Sequence, residues 1–250
     1  MQILPVLDLM NGVVVRGAAG RRETYRPIES RIAPTAEPLA VARAFRDRLG
    51  LTAFYVADLD AIVARRPQRD ICRMLRDEGF TLLIDAGVRS LADADAAFDN
   101  GAAAVIAGLE TLPSPSVLRD LCERFEAERI LFSLDLSNGR PLRRGDGWAD
   151  DPFAIARPAI EAGVRRMIVL DLSAVGVGAG VPTGELCQRL RESAPGESAP
   201  GLELITGGGV RSVEDLQALQ SLGIDGVLIA SALHDGRIGR KEIEAVGRTS

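Results

Sequence analysis

The stretch Leu7-Asp8-Leu9-Met10-Asn11-Gly12 decides how the chain is interpreted, because it recurs as Leu134-Asp135-Leu136-Ser137-Asn138-Gly139. The two aspartates lie 127 positions apart in a chain of 250 residues. Each copy follows a short apolar run, at 3–7 and at 130–134, so each aspartate is expected where a buried strand ends. The repeat predicts two halves of one architecture, with a carboxylate at the matching position of each half.

Apolar runs rich in Val, Ile and Leu continue along the chain, and a loop and a segment of helical periodicity follow each run. The pattern predicts strands near 3–8, 52–57, 80–84, 102–107, 129–135, 165–171, 202–206 and 225–230. It predicts helices near 37–49, 68–78, 91–99, 114–127, 152–162, 184–192, 212–221 and 239–247. Continuous apolar strands are typical of a parallel sheet that is buried on both faces. Eight strand–helix units favour an α/β fold of the closed (β/α)8 TIM-barrel type. The alternative is an open doubly wound sheet, but its usual G-x-G-x-x-G fingerprint is absent after the first strand.

The repeat extends beyond the opening motif. Three more pairs recur in the same order: Gly87-Val88-Arg89-Ser90 with Gly209-Val210-Arg211-Ser212, Val105-Ile106-Ala107-Gly108 with Leu228-Ile229-Ala230-Ser231, and Asp58-Leu59 with Asp171-Leu172. This order predicts one TIM-barrel domain over 1–250 that is built from two duplicated (βα)4 halves, approximately 1–127 and 128–250.

Composition excludes several classes of function. A net charge of −5 with mixed signs gives no electrostatic footprint for nucleic acid. No apolar run reaches the ~18 residues that a membrane span needs, and no signal-peptide pattern opens the chain, so we expect a cytoplasmic protein. The three cysteines lack close spacing, and His234 is the single histidine. These counts argue against disulfides, a metal site and a Ser-His-Asp triad.

Asp8 and Asp135 are the candidate catalytic residues. In a barrel, strands one and five are opposite, and the carboxyl ends of all strands face one mouth. Two carboxylates across a ligand suit a general base and a general acid. The alternative is that each aspartate caps its own L-D-L-x-N-G turn. A single copy would favour the cap, whereas the repeated pair favours catalysis.

The segment from Thr206 to Ser212 joins strand seven to a helix and is rich in glycine. Backbone amides in such a loop can turn toward an anion at a helix N-terminus. The loops after strands seven and eight form the usual phosphate site of barrels, so a phosphate cradle is favoured over a simple tight turn. Its predicted members are Gly207, Gly208, Gly209, Ala230 and Ser231.

The corresponding loops of the first half predict a second phosphate or substrate site, formed by Ala86, Gly87, Arg89 and Gly108. Asp85 and Glu110 bring two carboxylates to this position, which would repel an anion. Two interpretations remain open here. Either an arginine compensates the acids, or the acids bond to nearby amides at a vestigial site.

Other segments supply candidate substrate contacts. Residues 12–16 (GVVVR) predict a small hairpin that leads into a loop rich in arginine. Trp148 is the single tryptophan; it could stack on an aromatic ligand or cover the barrel edge. The candidate substrate contacts are Arg16, Asp58, Trp148 and Asp171.

These motifs resemble the histidine-biosynthesis barrel family, which includes the phosphoribosylformimino-aminoimidazole carboxamide ribotide isomerase and the cyclase subunit of imidazole glycerol phosphate synthase. The resemblance covers the whole chain. It is carried by ILPVLDL at 3–9, NGVVVR at 11–16, YVADLDA at 55–61, SLD at 133–135 and GGGVRS at 207–212. The segment 134–148, which includes Arg144-Gly145-Asp146, looks more like the isomerase than the cyclase.

The resemblance implies an intramolecular aldose–ketose isomerase that performs an Amadori rearrangement in histidine biosynthesis. Asp8 would be the base and Asp135 the acid, and no metal or organic cofactor would be needed. The implied partner is a small phosphorylated substrate with two phosphates. The chain would be a monomer or a homo-oligomer without a glutaminase partner.

Three segments depart from the family pattern: Asp85-Ala86-Gly87, Gly108-Leu109-Glu110 and 173–178. These departures resemble an uncharacterised branch of the family, linked to methanopterin-type one-carbon cofactors, whose phosphorylated substrate would differ. A cyclase or lyase and a non-catalytic phosphate-ligand binding protein are the further alternatives.

Overall fold

The computed structural model describes residues 1–143, 147–178, 180–193 and 201–247. Arg144, Gly145 and Asp146 lie outside these ranges. Most of the segment 193–201 does as well, for which the Pro, Gly and Ser residues of the sequence predict a flexible connection before the seventh strand. Within the described residues, eight parallel strands form the wall of a barrel. They are β1 (Gln2–Met10), β2 (Ala53–Asp58), β3 (Thr81–Asp85), β4 (Ala104–Gly108), β5 (Ile130–Ser137), β6 (Arg166–Asp171), β7 (Glu203–Gly207) and β8 (Gly226–Ile229).

The strands pair in sequence order, and the ring closes where β1 pairs with β8 through Gln2 opposite Gly226 and Pro5 opposite Ile229. This pairing confirms the (β/α)8 barrel and rules out the open doubly wound sheet. Because the order is cyclic, β1 stands opposite β5, and the β3–β4 side stands opposite the β7–β8 side.

Helices surround the strands, and most of them match the sequence-based prediction closely. Within the described ranges they are α1 (Pro38–Leu49), α2 (Leu59–Ala64), α3 (Arg69–Asp77), α4 (Leu91–Asp99), α5 (Pro115–Arg124), α6 (Pro152–Glu161), α7 (Gly184–Ser193), α8 (Val213–Ser221), α9 (Ser231–His234) and α10 (Arg240–Val246). The short helices α2 and α9 were not predicted, because four to six residues are too few to show a helical period. No described helix has both the length and the apolar character that crossing a membrane requires.

Alternation along the strands divides the buried residues into two layers. On β1, Ile3 and Leu7 belong to the cluster between strands and helices, whereas Leu4 belongs to the cluster inside the barrel. Since successive side chains point to opposite faces, Asp8 shares the inner face with Leu4. The same counting from Leu131 on β5 puts Asp135 on the inner face.

The two Asn-Gly pairs of the repeated motif form two-residue hairpin turns at the barrel rim. Asn11 and Gly12 both have positive φ, at 51° and 83°, and Met10 pairs with Val13 beyond the turn. This geometry confirms the hairpin predicted from the sequence, because Asn-Gly is the preferred pair in such turns. Asn138 and Gly139 repeat it with φ of 52° and 75°.

Candidate active site

A cavity of about 400 Å³ opens at the carboxyl ends of the strands. This size suits a small-molecule ligand. Its wall combines carboxylates, two tyrosines, arginines and glycine-rich loops. The charged and phenolic side chains on it are Asp8, Arg16, Arg22, Tyr25, Tyr55, Asp85, Glu110, Asp135, Asp235 and Arg237.

Asp8 and Asp135 both line this cavity, from opposite sides of the barrel. Burial raises the pKa of Asp8 to about 7, with Arg22 opposing the shift and Asp85 adding to it. Burial also raises the pKa of Asp135 to about 8, against a hydrogen bond of 2.6 Å from the Ser133 hydroxyl. Two carboxyl groups that titrate near neutral pH can exchange protons with a ligand between them.

Neither aspartate caps its own turn, so the alternative interpretation of the repeated motif is wrong. Within the described residues no hydrogen bond holds the Asp8 carboxylate. The amide of Asn11 instead donates to Asp60 (2.8 Å), and that of Gly12 donates to Gln68 (2.9 Å). The second turn is braced in the same way, by the neighbouring strand–helix unit rather than by Asp135.

Asp171 is the brace of that second turn. Its two oxygens accept hydrogen bonds from the amides of Asn138 (3.1 Å) and Gly139 (2.7 Å). Asp58, its counterpart in the sequence repeat, accepts from the amides of Ala61 (3.0 Å) and Gln68 (2.6 Å) and so caps α2. Neither carboxylate lines the cavity. Both residues stabilise the backbone, so the prediction that they contact the substrate directly is corrected.

Gly17 makes room for the Asp8 carboxylate, and no pattern in the sequence indicated it. A Cβ atom at Gly17 would lie 2.8 Å from Oδ2 of Asp8 and 3.6 Å from the hydroxyl oxygen of Tyr25. The loop after the first hairpin therefore passes close over Asp8. Ala19 ties this loop to the one after β6 through a 2.8 Å backbone hydrogen bond to Val175.

Asp85 is a third carboxylate inside the barrel. Burial raises its pKa to about 6, while the amide of Gly87 (3.0 Å) and the Tyr55 hydroxyl (3.2 Å) donate hydrogen bonds that lower it. A Cβ atom at Gly108 would lie 3.2 Å from Asp135 Oδ2 and 3.9 Å from Asp85 Oδ2, so the two acids approach one point. Counting alternate residues from Leu83 on β3 would have assigned Asp85 to the inner face.

Glu110 is neutralised by an arginine from across the cavity mouth. Arg22 donates two hydrogen bonds to its carboxylate, of 2.6 and 2.9 Å. Such a two-point pair fixes both side chains more firmly than a single contact does. The arginine that the sequence left unspecified is therefore Arg22, which lies in a short 3-10 turn after the first hairpin.

Four of the five residues predicted to form the phosphate cradle lie together on one side of the cavity. Gly208, Gly209, Ala230 and Ser231 all line it, and the two glycines have φ of 76° and 99°. Backbone hydrogen bonds within the described residues leave the amides of Gly208 and Gly209 unused. Gly207 serves packing instead, because a Cβ there would lie 2.7 Å from the Leu228 side chain.

Arginines stand beside this cradle. Asp235 lies one helical turn after Ser231, and Arg16 donates to it at 2.7 Å and Arg237 at 3.1 Å. Arg16 and Arg237 both line the cavity, and contact of Arg16 with a substrate stays a prediction. Two guanidinium groups share one carboxylate here, so positive charge is in excess.

The first-half loops do not form a matching cradle. The Gly87 amide is already bonded to Asp85, and the Arg89 guanidinium donates to the carbonyls of Gly87 and Ile62 behind the cavity wall. Ala86, Gly87 and Arg89 line a separate cavity outside the barrel strands. The expectation of a second anion site at these residues is corrected, because Asp85 engages the Gly87 amide and backbone carbonyls engage the Arg89 guanidinium.

Trp148 is also away from the ligand cavity. It is 5% exposed and stacks on Phe132 with ring centroids 5.6 Å apart, and its Nε1 donates to the carbonyl of Leu112 at 3.1 Å. Of the two expected roles, covering the barrel is the one that the structure supports. A polar sequence around a tryptophan did not reveal that the ring itself folds inward.

A family model described as "Histidine biosynthesis protein" matches residues 2–239. The chain belongs to this family. An uncharacterised protein of Methanocaldococcus jannaschii is 31% identical over 246 residues, with 97% of each chain covered. Proteins named 1-(5-phosphoribosyl)-5-((5-phosphoribosylamino)methylideneamino) imidazole-4-carboxamide isomerase are similarly close. One from Thermus thermophilus is 30% identical over 247 residues, covering 97% of this chain and 98% of its own. One from Listeria monocytogenes is 31% identical over 252 residues, covering 98% of both.

Residues from the three segments that the sequence analysis singled out as departures from the family pattern line the cavity. Asp85 and Glu110 stand on the β3–β4 side, and Val175 to Gly178 form part of the loop after β6. The departures seen in the sequence therefore meet at the site itself.

Proposed function

We propose that the protein is an aldose–ketose isomerase that performs an Amadori rearrangement on a phosphosugar-linked substrate, with Asp8 as general base and Asp135 as general acid. One observation carries the proposal: these carboxylates lie near the carboxyl ends of opposite strands and line the same cavity. The isomerase names of the Thermus and Listeria relatives support the reaction class.

The roles are those that the resemblance to the isomerase implies, with Asp8 as base and Asp135 as acid. Burial raises the pKa of Asp8 to about 7 and that of Asp135 to about 8, so both carboxyls exchange protons near neutral pH. Such values suit a general base and a general acid.

The rearrangement converts an aminoaldose into an aminoketose without gain or loss of atoms. Asp135 protonates the ring oxygen as its bond to C1 breaks, and the nitrogen lone pair forms an iminium at C1. Asp8 then removes the proton from C2, which gives an enolamine. Protonation at C1 and loss of the hydroxyl proton at C2 complete the aminoketose. Every step moves a proton, so the mechanism invokes no metal or redox cofactor.

The substrate phosphate would be anchored opposite β3–β4. The amides of Gly208 and Gly209, which no described backbone carbonyl engages, support an anion there. The side chains of Arg16 and Arg237 add positive charge to the same place. Holding the phosphate fixes the reacting carbons between the two carboxylates, which lowers the entropic part of the barrier.

The test is an absorbance assay on the imidazole-carboxamide substrate of the named relatives, together with N-aryl-5-phosphoribosylamines that carry one phosphate. Wild type should turn over at least one of these compounds. Asp8→Asn and Asp135→Asn should each lower kcat by at least ~100-fold, the usual contribution of a general acid or base, while phosphate binding persists. A near-normal kcat of the Asp8→Asn variant would contradict the role of Asp8 as general base.

A second candidate is a related enzyme of one-carbon cofactor biosynthesis that acts on a different phosphorylated substrate. The carboxylates of Asp85 and Glu110 in the cavity favour it, as does the similarity to the uncharacterised Methanocaldococcus protein. Failure to turn over the relatives' substrate, with failure to rescue an isomerase-deficient strain, would favour this candidate. Phosphate binding without turnover of any compound would instead favour a non-catalytic binding protein.

A further inference from the structure

The two ends of the cavity carry opposite charge. On the β7–β8 side, two guanidinium groups, Arg16 and Arg237, share the carboxylate of Asp235. On the β3–β4 side, the two carboxylates of Asp85 and Glu110 stand beside the guanidinium of Arg22. Because these sides are opposite in the ring, a ligand that spans the cavity meets a positive end and a negative end.

We propose that the physiological ligand carries one phosphate, held on the β7–β8 side, and a protonated amine at its other end, held on the β3–β4 side by Asp85 and Glu110. The inference rests on the proposed function, because it names the substrate class of the same cavity. It identifies a phosphorylated compound with a basic tail.

The β3–β4 end is built against a second phosphate. The Gly87 amide, which an anion would need, donates to Asp85 at 3.0 Å. Arg22 is engaged at both terminal nitrogens by Glu110. A phosphate here would lie next to the carboxylates of Asp85 and Asp135. To bind Arg22, it would have to displace Glu110 from its ion pair with that arginine.

The same end offers acceptors that an ammonium group can use. Tyr55 donates its hydroxyl hydrogen to Asp85, so Asp85 keeps further lone pairs on the cavity side. An ammonium has three donors and no acceptor, which fits a wall of carboxylates. Hydrogen bonds between ionised partners are the stronger kind, and protein on the other sides limits the water that weakens them.

The experiment measures Kd by calorimetry for three N-aryl-1-amino-1-deoxypentulose 5-phosphates that differ only in the para substituent. The substituents are aminomethyl, hydroxymethyl and phosphonomethyl. Wild type should bind the aminomethyl compound at least ~10-fold more tightly than the phosphonomethyl compound, as expected for a charge placed within a few ångströms of a partly enclosed carboxylate. Equal or tighter binding of the hydroxymethyl or phosphonomethyl compound would overturn the proposal.

A double variant, Asp85→Asn with Glu110→Gln, reverses the charge of this end and releases Arg22. Both amides keep the size of the original side chains, and the amide oxygen introduced by Asp85→Asn can still accept from the Gly87 amide. The preference for the amine should fall to within ~2-fold or invert in favour of the phosphonate. An unchanged preference would contradict the assignment. Thermal unfolding checks that the variant is folded, and a single Asp85→Asn chain replaces it if it is not.

The control is Asp99→Asn, which removes one negative charge from an exposed position outside the cavity, as Asp85→Asn removes one inside it. Its binding preference should equal that of wild type. Turnover is measured separately on the corresponding phosphoribosylamines. Amine preference without any isomerisation would count against the proposed function alone, whereas isomerisation with phosphonate preference would count against the amine end alone.

Discussion

Replacing Asp135 by asparagine should make the protein more stable at alkaline pH while it removes activity. Burial raises the pKa of Asp135 to about 8 from an ordinary value of 3.8, so between these values the folded chain holds a proton that the unfolded chain has released. The free energy of unfolding therefore falls as the pH rises through this window and becomes flat above about pH 8. Asparagine cannot ionise, so the variant escapes this loss.

The size of the effect follows from the width of the window. Each pH unit in which one extra proton is bound by the folded state changes the free energy of unfolding by ~1.4 kcal/mol. The window from 3.8 to about 8 sets a ceiling of ~5–6 kcal/mol for Asp135, whose side chain is 7% exposed in the folded chain. Water that enters the open cavity reduces this penalty, and we expect ~2–3 kcal/mol at pH 9 relative to pH 5. For a chain of this length, that corresponds to a Tm higher by ~4–12 °C.

The assay is urea and thermal unfolding of wild type, Asp135→Asn and the surface control Asp99→Asn, each from pH 5 to pH 9. The difference between wild type and Asp135→Asn should be smallest at pH 5, where asparagine still offers an acceptor to the Ser133 hydroxyl, and it should grow with pH up to about pH 8. Asp99→Asn should follow wild type throughout. If the difference in the free energy of unfolding stayed constant with pH, it would not arise from the raised pKa of Asp135. That result would refute the reasoning.

Three further predictions concern activity and packing. The pH profile of kcat/KM should be a narrow bell with limbs near 7 and 8, because activity needs Asp8 ionised and Asp135 protonated; a rate that keeps rising to pH 10 would contradict the role of Asp135. Gly17→Ala should lower kcat at least ~10-fold without a change in Tm, since its Cβ would lie 2.8 Å from Oδ2 of Asp8 and a small misplacement of a catalytic group is costly. Gly201→Ala, with nothing within 4 Å of its Cβ, should match wild type in steady-state kinetics. Trp148→Phe should lower the free energy of unfolding by ~1–3 kcal/mol through loss of its hydrogen bond to Leu112, with ligand Kd unchanged in calorimetry. A weaker Kd would restore the role of Trp148 as a substrate contact.

The strands and long helices could be predicted because their signals are local. An apolar run such as 130–134 needs no partner to be recognised, and the Asn-Gly pair at 138–139 specifies its own turn. The opposition of Asp8 and Asp135 was also accessible, since cyclic strand order converts their places in the sequence into opposite walls. That the two halves arose by duplication stays a prediction from the sequence.

The misassigned residues depend on contacts between distant segments. Arg22 and Glu110 are 88 residues apart, and no pattern near either one announces their pairing. Asp58 and Asp171 follow strands in the way that a catalytic acid would, yet their oxygens are taken by backbone amides. Trp148 has polar neighbours in sequence but a buried neighbour, Phe132, in space. The sequence shows which residue types follow each strand. Whether such a residue contacts a ligand or holds the backbone depends on which amides lie near it in space.

The bracing of the two Asn-Gly turns bears on how a mutational map of this protein would look. Asp171 never meets the cavity, but both of its oxygens hold the turn that follows Asp135 directly in the chain. A substitution at Asp171, or at Asp60 beneath the first turn, would remove hydrogen bonds that hold these turns. It would therefore displace the strands that carry Asp8 and Asp135 without removing any contact to the ligand. Positions at which substitution lowers activity should therefore include two clusters outside the cavity wall, one beneath each Asn-Gly turn. A mutational scan restricted to cavity-lining positions would miss both clusters.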